Sequence, residues 1–207
     1  MAKQEITYDC FEHANWIGIS IPKAACTSLR CWFRSLAERR PYASYSQAPE
    51  IHYWFRANCS RLSQGEIAAK DFSFVVTRNP AARALSAFQN KIANPLNQLF
   101  HRPELTTLES WLRSLQAELE SGVAPQRWNE HWRPQVSFAP ADVSFVARLE
   151  NFAADLAEIC ERLELAPPAW ANPPHMQTPK RPISSAAAGL VREIYREDFQ
   201  RFYPEEM

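Results

Sequence analysis

Glycine is scarce in this chain: only four occur in 207 residues, at Gly18, Gly65, Gly122 and Gly189. A Walker A loop, G-x-x-x-x-G-K-[ST], and the dinucleotide fingerprint G-x-G-x-x-G both need glycines that no segment here places together. The common ATP, GTP and NAD patterns are therefore excluded. Excess charge of one sign is also lacking, with 23 Lys plus Arg against 23 Asp plus Glu. No net field favours a polyanion, so nucleic acid is not an expected partner. The five cysteines (Cys10, Cys26, Cys31, Cys59 and Cys160) are odd in number and show no CxxC spacing. That argues against a disulfide scaffold or a zinc site. No apolar run approaches the roughly 20 residues needed to cross a bilayer. The polar start, Met1 to Asp9, lacks the order of a signal peptide. The chain is read as soluble and cytoplasmic, without a transmembrane segment.

What is present suffices for one domain spanning residues 1–207, since 46% of the residues are hydrophobic. Three apolar runs read as buried strands: Trp16 to Ile21, Phe72 to Thr77, and Val143 to Leu149. Each precedes a segment of helical period. Leu29, Trp32, Phe33 and Leu36 follow the first, and Leu85, Phe88 and Ile92 the second. After the third, Asn151 is expected to cap a helix carrying Phe152, Leu156, Ile159 and Leu163. Strand–helix repetition predicts an α/β fold with a central parallel sheet flanked by helices. A capping box at Thr106 and Glu109 predicts one further helix, and Ala186 to Phe202 predicts another. Residues 41–65, 93–105 and 121–142 are poorly patterned and read as functional loops.

Ligands of open α/β sheets bind beyond the carboxyl ends of the strands. The first such end reads Ile21-Pro22-Lys23-Ala24-Ala25-Cys26-Thr27-Ser28. Small residues after Lys23 let the backbone approach a ligand. Thr27 or Ser28 is expected to open a helix whose N–H groups suit a phosphate or sulfate. The second strand end reads Thr77-Arg78-Asn79-Pro80, followed by Arg83 and Ser86. Arg78 has the forked geometry to grip a phosphate. Taken singly, Ser86 reads as an ordinary helix serine, Arg83 as a surface charge and Lys23 as a solvated loop lysine. Together they suit a nucleotide phosphorylated at both its 5′ and 3′ positions.

These blocks resemble the Golgi-type carbohydrate sulfotransferase family, which includes the chondroitin and HNK-1 sulfotransferases. Ile21 to Thr27 resembles its 5′-phosphosulfate loop, and Arg78-Asn79-Pro80 through Arg83, Ser86 and Phe88 resembles its 3′-phosphate motif. His131-Trp132-Arg133-Pro134-Gln135, Phe145 to Phe152 and Ile194 to Phe202 are similar to later blocks of the same family. The resemblance implies a P-loop-NTPase-like sulfotransferase fold and the donor PAPS (3′-phosphoadenosine-5′-phosphosulfate), with PAP as product. It implies that Pro22, Lys23, Ala24, Ala25, Cys26, Thr27 and Ser28 hold the 5′-phosphosulfate, and Arg78 and Ser86 the 3′-phosphate. The chain is read as departing from membrane-anchored relatives, without their N-terminal anchor, so the acceptor is not carried over.

Sulfuryl transfer needs charge neutralised on the leaving side and a base for the acceptor hydroxyl. Lys23 is assigned the first task, and no metal ion is expected. Histidine suits the second, its unperturbed pKa being about 6.5. Among His13, His52, His101, His131 and His175, His131 is favoured, because it opens the His-Trp-Arg-Pro-Gln block. His52 is second, in an aromatic run, and Glu150 third. The competing reading of His131 is that it only orders its loop. Tyr42, Tyr45, Tyr53, Trp54, Trp128 and Trp132 are candidates to stack on an acceptor, a saccharide or a small metabolite bearing a hydroxyl. Lys180 and Arg181, in a proline-rich stretch, are candidates for a further cation at the nucleotide. Two other readings stay open: a small-molecule kinase of P-loop ancestry, and a non-catalytic nucleotide-binding protein.

Overall fold

The computed structural model describes residues 6–41, 48–168 and 182–207. Their contacts divide into two compact units. The first runs to Thr77 and resumes at Phe138; the second comprises Arg78–Ser137 and the C-terminal residues from 182 onward.

The first unit contains a five-stranded sheet: β1 (Thr7–His13), β2 (Trp16–Ser20), β3 (Ser60–Ser63), β4 (Phe72–Thr77) and β5 (Phe145–Arg148), in the order β3-β1-β2-β4-β5. β2, β4 and β5 are parallel, as the strand–helix repetition predicts. β1 and β3 add an antiparallel edge, so the sheet is mixed rather than wholly parallel. Neither antiparallel strand shows an apolar run in the sequence. β1 carries Asp9 and Glu12 among its seven residues, and β3 has only four. An antiparallel strand with one solvated face needs one apolar face only, and so escapes a search for buried runs.

Strand alternation sorts the core by face. On one face Trp16, Phe74, Val76 and Ala147 pack against Leu29, Trp32 and Phe33 of α1 (Cys26–Glu38). Phe55 of α2 (Ala48–Asn58) and Phe152, Leu156 and Ile159 of α6 (Phe152–Arg162) join the same cluster. Phe11 stacks on Phe33 with ring centres 4.5 Å apart. On the other face Ile17, Ile19, Ile21 and Val75 meet Ile67 of α3 (Gln64–Ala68) and Ala139. Gly18 sits where α1 crosses β2. A Cβ there would lie 2.5 Å from Phe33 Cζ and 2.9 Å from Phe74 Cζ.

The second unit is helical: α4 (Pro80–Ala87) runs into a π turn (Phe88–Ile92), followed by α5 (Leu108–Glu120), α7 (Ser185–Ile194) and α8 (Arg196–Phe202). α7 packs on both α4 and α5. The C-terminal helix expected to be continuous breaks at Tyr195. The cap of α5 is Thr107 with Ser110, one residue beyond the expected Thr106 and Glu109. Asn151 stands at the start of α6 but its side chain makes no cap, because a 3-10 turn (Leu149–Asn151) leads into the helix instead.

Gly18→Ala is expected to lower unfolding free energy by about 1–3 kcal/mol, the usual cost of overpacking a filled core. Urea denaturation measures this. An unchanged midpoint would mean that the Phe33 and Phe74 rings yield without cost.

Candidate active site

The turn after β2 is built by backbone conformation. Ala24 N–H donates to Ile21 O at 3.1 Å, and both Lys23 (φ 70°) and Ala25 (φ 55°) are left-handed. Neither is glycine, so each position stores strain of order 1–3 kcal/mol. Left-handed residues at alternate positions turn successive amides toward one side, the arrangement of an anion-binding nest. Ala25 is also the N-cap of α1, and offers no side-chain hydrogen bond to its first turn. The helix therefore opens at Cys26, one or two residues before the Thr27 or Ser28 expected. Pro22, Ala24, Thr27 and Ser28 are buried, while Lys23, Ala25 and Cys26 are half-buried. Ser20 precedes the turn. Its Oγ is buried without a hydrogen-bond partner among the described residues. Nothing in the sequence distinguishes it from any strand serine.

Arg78 directly follows β4. Asn79 then caps α4, its Oδ1 accepting from Ala81 N at 2.9 Å and Ala82 N at 3.1 Å, and its amide nitrogen donates to the Glu206 carboxylate. Ser86, two turns into α4, is buried. Arg83 is not a surface charge: it is 2% exposed. Its guanidinium donates to Arg133 O at 2.8 Å and Glu130 O at 3.2 Å. The short residues Ala81, Ala82 and Ala84 on α4 conceal from a sequence reader that its arginine points inward.

Those two carbonyls belong to the loop carrying His131. Tyr195 donates its hydroxyl to Trp132 O at 2.9 Å. Asp198, fully buried on α8, accepts from Gln135 N and Val136 N, both at 2.9 Å. Gln135 in turn pairs with the backbone of Arg78, accepting from Arg78 N at 2.9 Å and donating to Arg78 O at 2.8 Å. An amide side chain thereby imitates one rung of a strand pair. The Trp132 ring packs edge-on to Phe100 and Trp111. Burial raises the Asp198 carboxyl above the ordinary carboxylate range, and the Arg83 charge and two amides only partly offset it. Burial likewise pushes the Tyr195 phenol up.

His131 is half-buried, its Nδ1 2.6 Å from Asn129 Oδ1. His52 lies on α2, in the first unit, with Nδ1 2.6 Å from Arg30 Nη1. A guanidinium only donates, so the Nδ1 lone pair of His52 is occupied and its ring proton sits on Nε2. Arg30 lies 4.3 Å over the Phe55 ring, which makes His52 part of the α1–α2 packing. Glu150 is exposed in the 3-10 turn. Of the aromatics proposed for an acceptor, Trp128 is buried, Trp54 and Trp132 are half-buried against neighbouring rings, and Tyr53 is exposed. Lys180, Arg181, His175, Tyr42 and Tyr45 lie outside the described residues. Lys23 and His52 belong to the first unit, and Arg78, Ser86 and His131 to the second. Among the described residues no His, Cys, Asp and Glu side chains gather as metal ligands, and no helix is long and apolar enough to cross a membrane.

The α/β sheet whose second strand ends in a left-handed turn at the N-terminus of α1 is the framework the sequence led us to expect. A family match goes further: residues 8–204 fit the sulfotransferase family, and the chain belongs to it. No curated protein and no solved structure gives a significant match.

Removing Asp198 leaves two backbone amides unpaired and Arg83 without its neighbouring charge. Asp198→Leu is expected to cost about 3–5 kcal/mol in urea unfolding, as for other broken buried pairs. The pH dependence has a definite sign. The folded state holds this proton more tightly than the unfolded chain, so its contribution is full at acid pH. Wild-type stability, measured against Asp198→Asn, is expected to fall as pH rises from the ordinary carboxylate value through the raised one. A difference that stays flat or grows would contradict the raised carboxyl.

Proposed function

We propose that this protein transfers a sulfuryl group from PAPS to an acceptor hydroxyl. The observation that carries the reading is the left-handed pair Lys23 and Ala25, which turns the loop amides into a nest at the α1 N-terminus in a chain of the sulfotransferase family. On this reading residues 22–28 take the 5′-phosphosulfate. Arg78, whose backbone Gln135 holds on both sides, takes the 3′-phosphate together with Ser86.

The acceptor oxygen attacks sulfur in line while the bond from sulfur to the 5′-phosphate oxygen breaks. Charge builds on the departing phosphate, where Lys23 and the loop amides oppose it. The acceptor proton passes to His131, our choice of base over His52, whose Nδ1 lone pair is already committed to Arg30. The products are the sulfate ester and PAP. Lys23 and the amides supply the neutralising charge, so no metal ion is assigned a part. A saccharide or a hydroxyl-bearing small metabolite is the acceptor class we propose. A reducing compartment, the cytoplasm, fits five unpaired thiols, with burial pushing Cys10 up to about 12 and Cys160 to about 11.

Calorimetric titration with PAP, without added metal, tests the donor. Wild type is expected to bind, and Arg78→Ala to bind about 10- to 100-fold more weakly, as for loss of a charge-assisted contact. Binding of ATP–Mg²⁺ in place of PAP would overturn the sulfotransferase donor and favour a kinase. Lys23→Ala is expected to lower PAPS turnover by about 10²–10³-fold. Full turnover in that variant would remove Lys23 from the chemistry.

A further inference from the structure

We propose that Asn129 is a positioning residue that holds the His131 imidazole in one tautomer, with the proton on Nδ1 and the lone pair on Nε2. The inference rests on the general-base reading of His131 given above, and it specifies the atom that does the work.

One atom of the Asn129 side-chain amide faces both the backbone N–H and the ring of His131. The backbone N–H of His131 lies 3.0 Å from that atom and can only donate, so the atom is the carbonyl oxygen Oδ1. His131 Nδ1 lies 2.6 Å from the same oxygen. An amide oxygen carries no proton, so Nδ1 must supply the one between them. A neutral imidazole protonated at Nδ1 has its lone pair on Nε2. His52 has the opposite arrangement, its Nδ1 accepting from Arg30.

The frame around the pair is fixed from several directions. Asn129 O accepts from Trp132 N at 3.0 Å and Arg133 N at 2.9 Å, closing the turn over His131. Arg83 and Tyr195 hold the carbonyls of Glu130, Trp132 and Arg133. The Phe100 ring lies 5.9 Å from the imidazole and carries Lys91 Nζ 5.5 Å from its own centre. Lys91 on the π turn thus reaches the loop through the Phe100 ring, and Arg83 on α4 reaches it through the Glu130 and Arg133 carbonyls.

In the transfer step the acceptor O–H proton moves to Nε2 as the new O–S bond forms and the bond to the 5′-phosphate breaks. The imidazolium that results has both nitrogens protonated, and Asn129 Oδ1 faces the positive end at Nδ1. Without Asn129 the ring is free to turn and to adopt the Nε2–H form, which presents a donor where a base is needed.

Long-range proton–nitrogen NMR of histidine-labelled protein tests this directly, with His131 assigned from its loss in His131→Ala. Wild type is expected in the Nδ1–H form, and Asn129→Ala in the Nε2–H form or a mixture. Asn129→Asp keeps an acceptor oxygen. It should restore the Nδ1–H form and raise the His131 titration midpoint, since a carboxylate favours the imidazolium. Release of PAP from PAPS is expected to fall about 10- to 100-fold in Asn129→Ala, with PAP affinity unchanged. An Nε2–H form in wild type, or an unchanged tautomer in Asn129→Ala, would overturn the proposal. So would an unchanged rate of PAP release in that variant. If His131→Ala released PAP at the full rate, the general-base reading would fall instead, even with the tautomer as expected.

Discussion

A loop with little regular structure keeps one conformation only if something satisfies its backbone. In the stretch from Glu130 to Val136 that task falls to buried side chains: Arg83 and Tyr195 on the carbonyl side, Asp198 on the amide side. Gln135 passes the constraint on to Arg78, the residue leaving β4. Burying a cation and an anion carries a desolvation cost that their attraction repays only when hydrogen bonds complete the set. Here every partner named is a backbone group. The interaction does more to select one loop conformation than to add stability, and the raised Asp198 carboxyl records the residual cost.

The first unit meets a different demand. Its turn after β2 is left-handed at two positions, and with no glycine between Gly18 and Gly65 the chain accepts Lys23 and Ala25 there. Strain of this kind persists only where the surroundings over-determine the backbone. Buried Ile21, Pro22 and Ala24 on one side, and the α1 core residues Leu29, Trp32 and Phe33 on the other, hold it in place. Gly18 lets α1 approach β2 closely enough for Phe33 to stand over the strand. Packing under the helix and conformation ahead of it are thus one arrangement.

The two candidate histidines show how environment divides similar residues. Both contact a neighbour through Nδ1 at 2.6 Å, yet one neighbour is a guanidinium and the other a carbonyl oxygen. The first consumes a lone pair, and the second fixes a proton. On the reading proposed above, the second puts the ring lone pair on Nε2.

Much of this protein was legible in the sequence, because the relevant physics is local. Apolar runs followed by helical periodicity determined the parallel strands β2, β4 and β5. Tertiary structure alone decided the rest. The antiparallel strands β1 and β3 hide because neither carries an apolar run. Arg83 reads as a surface charge, and nothing in the sequence singles out Asp198, until α4, α8 and the loop come together, since partners 47 to 63 residues away determine their burial. The sequence can name a histidine, but the oxygen facing its Nδ1, and hence where its proton sits, exists only once the loop is folded.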